Sequence, residues 1–325
     1  MSKFIQYELW KDCHNQCQFC YNKGEPKTNK ISRLNYILDK LKSEESDMFD
    51  EIGFIGGDFF HNQIDDLEVK SLFYKLFDIC SEKRKQNKLN KLCICTSLIF
   101  DINRHLVEFI NYLNDKNLLD ITLICTSYDT IYRFQNNKQL SVWENNMIEL
   151  HNLFPTLKLH TETLLTQDFI NKVLEDNFNI KEFCEKFHTT IDYIEPSTGF
   201  YYNTKYEMDK VLPNFFPTKS SFIKFIKKTA FDEKSVNLQD LLNPFLRANV
   251  LYYTANGEDM VIRGRQRNPD CRILKKITND ELNYGNEVRT VPQFYKDFDR
   301  GFIDSDLSML DVVKQISQVF GDMNV

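Results

Sequence analysis

Within its first two hundred residues the chain alternates six times between a short apolar run and a longer stretch with apolar residues at helical spacing. The short runs read as strands over Phe4–Trp10, Glu51–Ile55, Leu92–Thr96, Asp120–Cys125, Leu157–Thr163 and Ile191–Pro196. Between them, sets such as Ile31, Leu34, Ile37, Leu38 and Leu41, or Leu72, Phe73, Leu76, Phe77 and Cys80, recur three and four apart. That spacing puts each set on one helix face. Strands separated by helices cannot close as hairpins; they pair side by side in parallel, with the helices outside the sheet. Leu92-Cys93-Ile94-Cys95 has no polar break, which suits a parallel strand covered on both faces. In the fifth run Lys158, His160 and Glu162 alternate with leucines and threonines. If the inner face carries His160 and Glu162, the buried carboxylate needs a partner there; a slip of one residue reverses the faces.

Beyond about residue 200 the alternation lapses. Gly199-Phe200-Tyr201-Tyr202 reads as an aromatic loop, and Phe222, Phe225 and Ile226 as a helix face. Asn256-Gly257 between Leu251–Tyr253 and Met260–Ile262 is a strong hairpin signal. Arg263, Arg265 and Arg267, with Arg272 beyond, fall two apart. Guanidinium groups in a row suit phosphate or carboxylate recognition, and equally a charge-protected edge strand. Ser305 or Asp306 is expected to cap a last helix through Leu307, Leu310, Val313 and Ile316. The chain therefore divides into residues 1–200 and an α+β extension, 201–325.

With 325 residues and 42% hydrophobic content, a sizeable core is available. A formal charge of −6 argues against wrapping duplex nucleic acid. Nine cysteines in a chain this long do not make a small disulfide scaffold, and with no secretory signal a cytoplasmic setting is expected. No apolar run is long enough to span a bilayer.

The chemistry is concentrated in Asp12-Cys13-His14-Asn15-Gln16-Cys17-Gln18-Phe19-Cys20-Tyr21. Thiolates hold iron–sulfur clusters, normally four for a cubane. Three supplied locally leave one iron open, which is the mark of a reactive rather than a structural metal site. The other reading is a zinc site completed by His14 or a distant ligand. The spacing Cys-x-x-x-Cys-x-aromatic-Cys, after an apolar strand, closely resembles the signature of the radical S-adenosylmethionine (SAM) superfamily. The resemblance implies that Cys13, Cys17 and Cys20 hold a [4Fe–4S] cluster, with Phe19 beside it. SAM chelates the fourth iron and is cleaved reductively to methionine and a 5′-deoxyadenosyl radical, which takes hydrogen from the substrate.

It further implies a partial (β/α)6 barrel open on one side, with the site at the carboxyl ends of the strands. Gly56-Gly57-Asp58 matches the family's Gly-Gly-Glu turn, which binds the SAM amino group, with the acid one methylene shorter. Ser127, Asp129 and Arg133 resemble a segment near the SAM ribose and carboxylate, and Glu162 is a further candidate there. An electron donor of flavodoxin or ferredoxin type is implied, with a small-molecule, nucleotide-like or peptide substrate. Cys93 and Cys95 share a strand face but read as core cysteines, with nothing nearby to complete a site. Only Cys271 lies in the extension, so no auxiliary cluster is expected. The alternative class is a non-catalytic iron–sulfur or zinc-binding scaffold.

Overall fold

A computed structural model describes residues 4–15, 17–18, 20, 27–43, 46–47, 49–129, 131–194, 214–230, 235–236, 250–253, 259–262, 281–284, 287–290, 302–303 and 306–320. Phe19, the Gly199–Tyr202 loop, Asn256, Gly257, the four arginines from Arg263 to Arg272, Cys271 and Ser305 lie outside the described residues.

The strands are β1 (Phe4–Glu8), β2 (Glu51–Ile55), β3 (Lys91–Cys95), β4 (Thr122–Ser127), β5 (Lys158–Leu164) and β6 (Thr189–Ile194). Between them run α1 (Lys30–Lys42), α2 (Leu67–Lys85), α3 (Leu106–Asp115), α4 (Asn137–Leu153), α5 (Gln167–Leu174) and α6 (Ile180–Phe187). All neighbouring pairs from β1 to β6 are parallel and follow one another across the sheet in chain order. A strand order without reversal, with right-handed crossovers, winds every connecting helix onto the same face. The protein is thus an α/β fold with a singly wound parallel sheet. β4 starts at Thr122 rather than Asp120, because Leu119–Ile121 forms a 3-10 turn.

Residue alternation along the strands assigns the two faces. Ile5, Tyr7, Ile52, Phe54, Leu92, Ile94, Ile124, Leu159, Ile191 and Tyr193 join one buried cluster with the helices. Within it Phe54, Phe73, Phe77 and Phe109 pack with ring centroids 4.7 to 5.3 Å apart. Each fully buried ring contributes about 1.5–3 kcal/mol. Helix α2 is started by Asp66, whose carboxylate accepts from the backbone N–H of Glu68 at 2.9 Å and of Val69 at 3.0 Å. The opposite face of the sheet takes the intervening residues, among them Glu8, Cys93, Cys95, Cys125, His160 and Glu162. The register that puts His160 and Glu162 on the inner face is the one observed.

The second part of the chain adds to both edges. β7 (Ser235–Val236) pairs with β6, and β8 (Val250–Tyr253) pairs in parallel with β1. β9 (Asp259–Ile262) pairs antiparallel with β8, as expected of the two runs that flank Asn256-Gly257. β10 (Glu281–Tyr284) and β11 (Glu287–Thr290) form a separate pair. Helices α7 (Lys219–Thr229) and α8 (Met309–Phe320) pack together. The start of α8 differs from expectation. Ser308 caps it, its hydroxyl accepting from the Asp311 N–H at 3.2 Å. Met309, Val312, Val313 and Ile316 form the buried face, while Leu310 is 56% exposed. No helix among the described residues is long and apolar enough to cross a membrane.

Candidate functional site

The cysteine loop leaves β1 under close control by the turn after β2. Leu9 N–H donates to the Ile55 carbonyl at 2.9 Å, Gly57 N–H to the Trp10 carbonyl at 2.7 Å, and Asp58 N–H to the Asp12 carbonyl at 3.1 Å. This approach explains both glycines. Gly56 has φ of +135°, and a Cβ on it would lie 2.3 Å from the Trp10 oxygen. A Cβ on Gly57 would lie 1.8 Å from the Asp12 oxygen. Backbone rather than side chain occupies that space, so only glycine fits. The resemblance sets these glycines against the SAM amino group. In the fold they make room for the root of the cysteine loop itself.

Three further ties hold the loop. His14 Nε2 lies 3.0 Å from the Ile99 carbonyl, in the segment after β3, and its ring stacks on His61 at 3.9 Å. Gln18 N–H donates to the Tyr132 carbonyl, after β4, at 2.8 Å. The Asp12 carboxylate accepts from Thr28 N–H at 3.1 Å on the way out. Segments following β2, β3 and β4 therefore converge on the loop that follows β1, all at the carboxyl ends of the strands.

Cys17 is buried, Cys20 half-buried and Cys13 exposed. The Cys13 thiol is pushed up to about 12 by burial of the sulfur, by the Asp58 carboxylate, and by the nearby Cys17 and Cys20; only a hydrogen bond from Asn15 N–H, at 3.4 Å, opposes it. Cys17 and Cys20 thus lie near enough to Cys13 to act on its charge.

Asp58 is fully buried, and its carboxylate is engaged within the protein. It accepts from Phe60 N–H at 3.0 Å, from Ser97 N–H at 3.2 Å and from the Ser97 hydroxyl. The side chain thus ties the β2 turn to the segment after β3. Arg133, also buried, donates from a terminal guanidinium nitrogen to the Ser97 carbonyl at 3.1 Å. Asp129 receives the backbone N–H groups of Ile131 at 2.9 Å and Tyr132 at 2.5 Å, while burial pushes its carboxyl above the usual range. Ser127 and Glu162 are register partners on the inner face. Ser97, which joins Asp58 to Arg133, carried no sequence signal beyond its place after a strand.

The donor set fits the group that the loop suggests. Three soft thiols on one short loop suit an iron–sulfur cluster. Around them, buried polar atoms lack an internal hydrogen-bond partner: both side-chain polar atoms of Asn15, Nδ1 of His14 and of His61, and Nε of Arg133. Buried polar atoms are satisfied as a rule, and a polar ligand at this end of the sheet would satisfy them.

Deeper on the inner face lies a second sulfur group, where no partners for Cys93 and Cys95 were expected. Cys95, Cys125 and Glu162 bring two sulfurs and a carboxylate oxygen within 4.8 Å of one another. Cys125 hydrogen-bonds both Cys93 and Cys95; these bonds, with burial, push its thiol well up, and the same contact holds that of Cys93 down. The register of three separate strands makes this group, and no local motif announces it. No protein-family model matches the chain, and the curated proteins compared with it yield no match.

Proposed function

We propose that the chain is a radical SAM enzyme built on a partial (β/α)6 barrel, with the C-terminal segment covering the substrate side. The carrying observation is the loop of Cys13, Cys17 and Cys20, pinned at the carboxyl ends of the strands by the segments after β2, β3 and β4. The absence of reversal in the strand order supports the barrel, since a sheet wound on one face leaves its other face free to curve around a ligand.

In this reading Cys13, Cys17 and Cys20 hold the [4Fe–4S] cluster. When bound, the cluster and SAM supply reductive cleavage to methionine and a 5′-deoxyadenosyl radical, which abstracts hydrogen from the substrate. The protein's work is to bind, orient and exclude water. Gly56, Gly57 and Asp58 fix the root of the cysteine loop and present backbone groups to the SAM amino group. Asn15 and the Nε of Arg133 offer polar atoms to its carboxylate end. Ser127 and Glu162 face the ribose. A reductant of flavodoxin or ferredoxin type delivers the electron. The inner face is polar, so a small-molecule, nucleotide-like or peptide substrate with several hydrogen-bonding groups suits it better than a lipid.

Metal analysis of anaerobically purified chain tests the site. Iron with acid-labile sulfide, near four irons per chain as a cubane requires, is the expected result. Zinc alone would replace this reading with a zinc-binding scaffold.

A further inference from the structure

The three thiols on the inner face, and the carboxylate beside them, take no part in the cysteine loop. Cys95 on β3 and Cys125 on β4 are register partners. Glu162 on β5 pairs with Ser127, two residues beyond Cys125 and on the same face. Direct and diagonal neighbours on parallel strands have their side chains brought together by the backbone spacing. Here the two sulfurs and a carboxylate oxygen all lie within 4.8 Å.

We propose that Cys95, Cys125 and Glu162 form a second metal site, for a thiophilic divalent cation of the zinc class, with its fourth position open. Zinc holds thiolate sulfur at about 2.3 Å and carboxylate oxygen at about 2.0–2.2 Å, so tetrahedral ligand atoms stand about 3.5–3.8 Å apart. From a group that lies within 4.8 Å, at most about an ångström of contraction is needed, which side-chain rotation on a fixed sheet can supply. The mixed donor set argues for zinc, because a carboxylate ligand does not suit the softer cuprous ion. Two protein sulfurs and one oxygen leave a position for water or substrate, as in catalytic rather than structural zinc sites. On binding, the Cys95 and Cys125 thiols each release one proton to solvent, and Glu162 coordinates through a carboxylate oxygen. Cys93, hydrogen-bonded to Cys125, orients that sulfur from outside the ligand set. His160, on the same face, bonds Thr190 through Nδ1 at 2.8 Å and lies outside the group. A cation here takes Glu162 away from the ribose role. It uses none of the sulfurs of the cysteine loop, so it stands whether or not that loop holds a cluster.

The test is anaerobic titration with cobalt(II) as a zinc probe, in a full-length Cys13→Ser/Cys17→Ser/Cys20→Ser chain that silences the loop. One equivalent should bind with an intense sulfur-to-cobalt charge-transfer band. Adding Cys95→Ser or Cys125→Ser should abolish the band, and Glu162→Gln should weaken binding about tenfold or more. Should the triple variant not fold, the wild-type chain decides. Zinc should then release two protons per ion bound at this site and slow modification of Cys95 and Cys125 by methyl methanethiosulfonate, mapped by peptide mass spectrometry. Absence of the cobalt band in a folded triple variant, or equal modification of both cysteines with and without zinc, overturns the proposal. A wild-type chain that takes up no iron, while the triple variant shows the cobalt band, would sink the radical SAM reading alone.

Discussion

Replacing Gly57 by alanine tests how the cysteine loop is anchored. The added methyl would meet the Asp12 oxygen at 1.8 Å, its carbonyl carbon at 2.5 Å and its nitrogen at 3.1 Å. These are backbone atoms, so no rotamer change relieves the clash. To regain van der Waals separation, the segment must retreat by about 1.5 Å. That movement breaks the bonds from Gly57 N–H to Trp10 at 2.7 Å and from Asp58 N–H to Asp12 at 3.1 Å. Two such bonds are worth about 1–3 kcal/mol together, and the strain of overpacking adds about 1–2 kcal/mol, giving a loss near 3 kcal/mol. Gly53→Ala is the internal control. Its methyl meets the Phe4 ring at 2.8 Å and Gln6 Cγ at 3.1 Å, side chains that can turn aside; a cost of about 1 kcal/mol is expected. Urea unfolding at unchanged slope measures both, and iron bound after anaerobic reconstitution reports on Cys13, next to Asp12. Gly57→Ala should also lose most of its iron. Stability within about 0.5 kcal/mol of wild type, with full iron loading, would refute the anchoring argument.

Three further outcomes follow from the same geometry. Asp58→Ala leaves the N–H groups of Phe60 and Ser97 without their acceptor, so urea denaturation should show a loss of about 2–4 kcal/mol. Cys13→Ala should abolish iron loading while shifting the apo-protein's unfolding by less than about 0.5 kcal/mol, because Cys13 is exposed. Asp47 lies 2.5 Å from Lys83 and 2.7 Å from Lys88, and their hydrogen bonds hold its carboxyl below the usual range. A carboxyl lowered in the folded state contributes stability above its unfolded value, near pH 4, and loses it as pH falls through the folded value. Asp47→Asn should therefore be less stable than wild type at pH 7, by about 1 kcal/mol for so exposed a group. Parallel unfolding curves should show that gap closing towards pH 2.

The sequence announced what local spacing controls. Six strands alternating with helices, and the antiparallel pairing of the runs that flank Asn256-Gly257, follow from periodicity or turn chemistry, and the fold carries them; which face His160 and Glu162 take stayed open to a slip of one residue, and the strand pairing decides it. What depends on pairings distant in the chain was not legible. Gly56 and Gly57 read as a ligand cradle because no pattern states that Trp10 and Asp12 pass against them. Asp58 is consumed by Ser97, far along the chain. Cys95 found partners in Cys125 and Glu162 only because β3, β4 and β5 align in one register. The last helix starts later than its leucines imply, because Leu307 and Leu310 mimic its apolar stripe, whereas Met309, Val312, Val313 and Ile316 satisfy the same spacing and bury.

The most direct measurement is the yield of 5′-deoxyadenosine when the anaerobically reconstituted chain is given dithionite and SAM. The account predicts 5′-deoxyadenosine and methionine from the wild type and neither from a chain lacking Cys13, Cys17 and Cys20. An iron-loaded wild type that leaves SAM intact under those conditions would contradict it.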